Sequence, residues 1–355
     1  MNGKQRRHNP FRSDVFNSML NAAEQKAARI ICSPYLHRTT NAEDFRMALD
    51  PQAGEFLKKL AALNAPALHE LTLEQARRQA VPISGPIREV ARIDNRRIPG
   101  PNGEIPVRIY QPADVAATRP APALVFFHGG GWVICNLDTY DSLCRDLALA
   151  ADCVVVSVDY RLAPEHKFPA AADDAYAATV WVCDHSNELN IDPNRIAVAG
   201  DSAGGNLAAV VSLMARDRGN PAIAFQVLIY PITDYSFDTE SYQANSEGYF
   251  LTRMIMEWFW EQYLECPEDG THPYASPLRA DDLSNLPPAL VTTAGFDPLC
   301  DEGRAYAQRL QAAGNDTELV HYEGMIHGYV RRTDLFDRAR ETVDLIGDRL
   351  KKKLN

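Results

Sequence analysis

Residues 200–205 read Gly-Asp-Ser-Ala-Gly-Gly, and they stand between two apolar runs of different kinds. The run before them, Arg195 to Ala199, is short and apolar, as a buried strand is. The run after them, Asn206 to Met214, is long enough to continue as a buried helix. A chain that passes from strand to helix in so few residues is cramped at the corner. Gly200 and Gly204 flank the serine because side chains there would collide across the turn. A serine so placed projects its hydroxyl from the edge of a sheet, open to a ligand and to a base.

The rest of the chain supplies such a sheet. Short apolar or alternating runs predict strands at 88–93, 105–110, 123–127, 153–158, 196–199, 227–230, 289–292 and 318–322. Pro99-Gly100-Pro101-Asn102-Gly103 joins the first two. Helical patterns fall near 139–151, 171–188, 203–217, 301–313 and 335–352. Strands alternating with helices imply an α/β protein whose mostly parallel central sheet is covered by helices on both faces. Residues 1–85 differ. Met19 to Ile31, Ala53 to Leu63 and Leu71 to Arg78 are helical in pattern, Asp50-Pro51 marks a helix start, and no strand pattern occurs. The expected organisation is a helical N-terminal segment, 1–85, then a catalytic domain, 86–355. Residues 239–266, with an aromatic helix from Met254 to Tyr263, interrupt that domain and lean over its site.

Bulk properties exclude several classes. The 355 residues, 46% hydrophobic and 23% charged, have the composition of a large globular core. A formal net charge of −11 argues against a nucleic-acid partner and against attraction to an anionic membrane. Lys4, Arg6 and Arg7 lead into a polar, proline-containing stretch with no apolar signal core, so the expectation is a solvated tail and a cytoplasmic protein. Cysteines at 32, 135, 144, 153, 183, 266 and 300 form no paired motif, which fits a reducing compartment and buried packing.

A serine hydroxyl is a poor nucleophile until a base takes its proton, a third group orients that base, and donors await the developing oxyanion. Donors are expected in His128-Gly129-Gly130-Gly131-Trp132, directly after the strand at 123–127. Its bare backbone N–H groups, from Gly129, Gly130 and Gly131, join that of Ala203. His128 organises this loop through hydrogen bonds. Three histidines follow Ser202: His272 in a proline-containing loop, His321 within the last strand, and His327 in the loop after it. The last position sits at the active edge of the sheet and is the expected base. Asp297, just past the strand at 289–292, is the expected acid. Its neighbours Asp301 and Glu302 cap and charge the following helix. Arg161 and Glu165 are read as buried structural pairs, and Trp258, Phe259 and Trp260 as packing of the insertion. Trp132, Asp201, Tyr249 and Phe250 are candidate substrate-pocket residues.

Together these motifs, with Tyr160-Arg161-Leu162-Ala163-Pro164-Glu165, Asp297-Pro298-Leu299 and His327-Gly328, resemble the hormone-sensitive-lipase-like esterases of the α/β-hydrolase fold. The resemblance implies a Ser202–Asp297–His327 triad and an oxyanion hole from the glycine loop and Ala203. It implies a helical cap from the N-terminal segment and the insertion. It further implies hydrolysis of short- to medium-chain carboxylic esters without metal or cofactor. An amidase or deacetylase with the same triad, and a non-catalytic small-molecule receptor on the same fold, are the competing readings. A homodimer through an exposed last strand is a further expectation.

Overall fold

The computed structural model describes residues 48–80, 87–112 and 120–354. The helix expected at 19–31 and the basic tail lie outside them. Eight strands form one sheet: β1 Arg92–Gly100, β2 Gly103–Gln111, β3 Ala121–Phe127, β4 Val154–Val158, β5 Ile191–Asp201, β6 Phe225–Ile229, β7 Ala289–Phe296 and β8 Thr317–Ile326. Their order is β1-β2-β4-β3-β5-β6-β7-β8. β1 and β2, and β2 and β4, pair antiparallel; all later neighbours pair parallel.

The helices are α1 Pro51–Ala62, α2 Leu73–Gln79, α3 Asp141–Ala151, α4 Ala170–Asp184, α5 Ser186–Leu189, α6 Ala203–Arg218, α7 Glu240–Ala244, α8 Arg253–Tyr263, α9 Cys300–Ala312 and α10 Asp337–Leu354. The period-two alternation of each strand decides which layer its side chains enter. Along β3, Ala123, Val125 and Phe127 join the core that contains α4, α6 and α9, and Leu124 and Phe126 join the core under α3 and α10. Both faces are covered, so the central strands are mostly apolar.

Several strands run longer than the sequence reading, β5, β7 and β8 among them, and two elements differ for an identifiable physical reason. The first strand begins at Arg92, not 88, and runs through Pro99 and Gly100, because its antiparallel register with β2 is unbroken from Arg92↔Gln111 to Gly100↔Gly103. Pro99 is tolerated because β1 is an edge strand. The long helix expected over 171–188 is divided at His185, after which α5 ends in left-handed Asn190.

The N-terminal helices are tied to the α/β body. Asp50 caps α1 by accepting from the Gln52 and Ala53 N–H groups, and its own N–H donates to the Gly324 carbonyl at 2.9 Å. From α2, Arg77 donates to the Val133 and Ala163 carbonyls and to both carboxylate oxygens of Glu165 at 2.6 Å. Glu165 is therefore paired, but at a half-exposed seam and not in the core. Arg161 makes the buried pair. Its guanidinium grips Asp174 through two bonds of 2.8 Å, and the carboxylate is 1% exposed. Removing one partner of such a pair leaves an uncompensated charge. Arg161→Ala is expected to lower unfolding stability by about 3 kcal/mol, measured by urea titration; a loss under a tenth of that would mean water reaches Asp174.

Candidate active site

Ser202 stands between β5 and α6 with φ 56° and ψ −119°, outside the regions non-glycine residues favour. The crowding that holds it there is measurable. A Cβ on Gly200 would fall 2.2 Å from the Gly204 carbonyl oxygen, and one on Gly204 would fall 1.9 Å from that of Phe127. Glycine at both places lets β5 turn into α6 directly against the end of β3. The Ser202 N–H donates to Ile229 O at 2.9 Å, which fixes the corner to β6.

Two later strands bring in the other polar groups. Asp297 follows β7 and is fully buried; its Oδ1 accepts the Leu299 N–H at 2.9 Å. His327 follows β8. Its Nδ1 lies 2.7 Å from Asp297 Oδ2 and its Nε2 lies 3.0 Å from Ser202 Oγ. A carboxylate only accepts, so Nδ1 carries the proton and Nε2 presents a lone pair to the serine hydroxyl. The structure thus brings Ser202, Asp297 and His327 into one hydrogen-bonded chain. His321 instead pairs through Nδ1 with Thr293 Oγ1 at 2.9 Å, and His272 accepts the Tyr274 N–H. Asp301 and Glu302 lie in the first turn of α9, where they also accept from backbone N–H groups of Ser241, Thr233 and Asp234.

The glycine loop follows β3. His128 Nδ1 donates to the Gly129 carbonyl at 2.8 Å, and the Tyr160 hydroxyl donates to the His128 carbonyl at 2.7 Å with the two rings stacked. Burial lowers the His128 imidazole to about 4, so it stays neutral. Gly130 and Gly131 have φ of +104° and +57°, which glycine adopts at little cost. The Gly129 N–H, expected to face a ligand, is already used. It donates to the Tyr140 hydroxyl at 2.9 Å and to Asp201 Oδ1 at 3.0 Å.

Asp201 is accordingly a brace and not a pocket wall. It is 2% exposed, and it also accepts from the hydroxyls of Tyr140 at 3.0 Å and Tyr230 at 3.3 Å. Trp132 packs against the insertion. It is fully buried, stacked 4.0 Å from the Tyr263 ring and tilted against Trp260. Tyr249 packs on Phe296. Phe250 is 45% exposed, has φ +74°, and reaches the backbone of Gly328, the neighbour of His327. Sequence reasoning passed over Tyr140, Tyr230 and Asn245. Tyr230 lays its ring 4.6 Å from His327, and the Asn245 amide donates to the Gly295 and Asp297 carbonyls. No local pattern in the sequence marks these three; their partners come from distant segments.

Residues 124–331 match the family described as alpha/beta hydrolase fold. The chain is 50% identical over 239 residues to the carboxylic ester hydrolase LipN of Mycobacterium tuberculosis, a match covering 66% of this chain and 63% of that protein. It is 38% identical over 330 residues to the esterase LipI of the same organism, covering 92% and 96% of the two chains. Among solved structures, an ester hydrolase from the metagenome of Lake Arreo, complexed with a bipyridine phosphonate derivative, superposes with TM-score 0.82 at 43% identity. That match covers 86% of this chain and 98% of the other. The hyperthermophilic esterase of the archaeon Pyrobaculum calidifontis gives 0.80 at 44% identity, covering 86% and 99%. The chain belongs to the α/β-hydrolase family, within its hormone-sensitive-lipase-like carboxylesterases.

The insertion presses on the glycine loop. A Cβ on Gly131 would fall 2.1 Å from the Phe259 ring of α8. Gly131→Ala is expected to cost about 2 kcal/mol in denaturant unfolding from overpacking. Combined with Phe259→Ala it is expected to cost less than the sum of the single losses, since the second change removes the clash. Strict additivity would show that the ring moves aside freely.

Proposed function

We propose that this chain is a serine carboxylesterase with Ser202 as nucleophile, His327 as general base and acid, and Asp297 as the group that orients the imidazole. The observation that carries the reading is the unbroken hydrogen-bond chain from Asp297 through His327 to the strained Ser202. In the first step Ser202 Oγ bonds to the ester carbonyl carbon while its proton passes to His327 Nε2. The tetrahedral intermediate collapses, the alkoxide leaves with that proton as an alcohol, and an acyl-serine remains. Water then attacks, again losing its proton to His327, and the acid is released with Ser202 restored. Asp297 stabilises the imidazolium formed in each step.

With the Gly129 N–H occupied, the oxyanion donors in this reading are Gly130, Gly131 and Ala203, the last at the start of α6 where helix N–H groups lack intrahelical partners. Phe259 beside Gly131, Tyr230 beside His327 and Phe250 beside Gly328 bring aromatic rings to the glycine and histidine loops. An uncharged ester with a short to medium acyl chain fits beside such rings, with Tyr249 and Phe250 on the acyl side. The described part of the N-terminal segment and the insertion, which meet between the Leu68–Glu70 turn and α8, form the cap. No helix among the described residues is long and apolar enough to cross a membrane. A reducing, cytoplasmic setting is supported by the six unpaired cysteines among the described residues, and a homodimer by the edge of β8 that no described strand pairs.

Hydrolysis of p-nitrophenyl esters of graded chain length tests this. The wild-type protein is expected to favour short to medium chains, and Ser202→Ala to lose at least about 1000-fold in kcat. Asp297→Asn is expected to lose about 10,000-fold by fixing the wrong imidazole tautomer. Equal rates for wild type and Ser202→Ala would overturn the triad; inactivity of the wild type with tight ligand binding would favour a receptor.

A further inference from the structure

The loop that carries His327 runs into a single helical turn, Tyr329–Arg331, and Arg331 is spent on no catalytic contact. Its side chain turns back under the glycine loop. The guanidinium lies 4.4 Å from the centre of the Tyr140 ring, and Nη2 donates to the Thr139 carbonyl at 3.3 Å. Nη1 meets Cys135 Sγ at 3.9 Å, and Nε is enclosed without a hydrogen-bond partner among the described residues. No carboxylate ion pair of Arg331 occurs among the described residues, so the face of Tyr140 and the Asp201 carboxylate beyond it answer its charge. Tyr140 is itself the link. Its hydroxyl receives the Gly129 N–H and donates to Asp201. Asp201 in turn holds Tyr230, whose ring lies on His327.

We propose that Arg331 is a positioning residue: through Tyr140 and Asp201 it locks the histidine loop and the glycine loop into one register. The inference rests on the esterase reading above. Its chemistry is a question of who donates. As a carboxylate, Asp201 accepts from Gly129, Tyr140 and Tyr230 at once. Protonated, it must become a donor, and one of those bonds is lost. Burial pushes the Asp201 carboxyl upward, and the Arg331 cation opposes that push. The other titratable groups facing it are Tyr140, Tyr230, Tyr160, Cys135, Cys144 and His327. Burial raises every phenol and thiol among them, so they stay neutral, and Arg331 is the permanent cation of the cluster. Without it the Asp201 carboxyl protonates at higher pH. Activity is then lost, as pH falls, sooner than in the wild type.

The test is kcat and KM against pH for p-nitrophenyl butyrate, with Arg331→Met, Arg331→Lys and Tyr140→Phe beside the wild type. Arg331→Met is expected to lower kcat about tenfold at neutral pH with KM little changed, and to move the acid limb of kcat up by about one pH unit. Arg331→Lys, which keeps a cation, is expected to keep the wild-type limb. Adding Asp201→Asn, which cannot titrate, is expected to erase the pH dependence of the Arg331→Met defect. Should the Arg331→Met protein fail to fold, Tyr140→Phe carries the same expectation of a kcat loss at constant KM. A wild-type profile in both Arg331→Met and Tyr140→Phe, or a defect equal at every pH, overturns the inference while leaving the esterase reading intact. Failure of the wild type to hydrolyse any ester overturns the esterase reading first.

Discussion

The near-contact of Gly204 with the Phe127 carbonyl is the constraint on which the rest of the site depends. It allows α6 to start where β5 ends, with no loop between, and it sets the ends of β3 and β5 side by side. Ser202 then occupies the only residue of slack, and its strained φ is the residue of that geometry. The glycine loop must leave β3 beside this corner, so the amides it offers and the serine it serves are placed by one packing event. Parallel strands do the remainder. Each ends on the same side of the sheet, and the loops after β3, β5, β7 and β8 converge there.

Around that corner, buried acids act as joints. Asp297 holds the imidazole and the start of its own turn. Asp201 holds the first amide of the glycine loop and two tyrosines. Glu302 holds the chain after β6 by accepting from Thr233 and Asp234, and burial raises its carboxyl well above the usual range. Each joins segments far apart in sequence, and each accepts at least one backbone N–H beside whatever side chains it holds. A loop held in this way has little freedom to reorganise during the reaction, which is what a preorganised oxyanion site requires.

Local pattern was enough to read the sheet, the alternation of layers and the residues that meet at its active edge. Gly200, Ser202 and Gly204 announce a corner because steric collision is a local matter. His327 stood out from His272 and His321 because only it lies in a loop beyond a strand at the right edge. Asp201 was misread for a reason of the same kind: an acid beside the serine looks available until Tyr140, Tyr230 and the Gly129 amide close around it. Those partners lie from 29 to 72 residues away, and no periodicity connects them. The stacking of Trp132 was equally hidden, since Tyr263 and Trp260 reach it from the insertion. The start of β1 was misplaced because register with β2, and not residue preference, sets where pairing begins.

Among the described residues β8 pairs with one strand only, and most of its length is half-buried. Strand margins of this kind open at a fraction of the free energy of global unfolding. His327 hangs from the end of this margin, whereas Ser202 is seated at the centre of the sheet between β3 and β6. A fraying of β8 from β7 separates base from nucleophile while β3, β5 and β6 stay formed. The molecule's competence is thereby tied to a border of the sheet as well as to its centre.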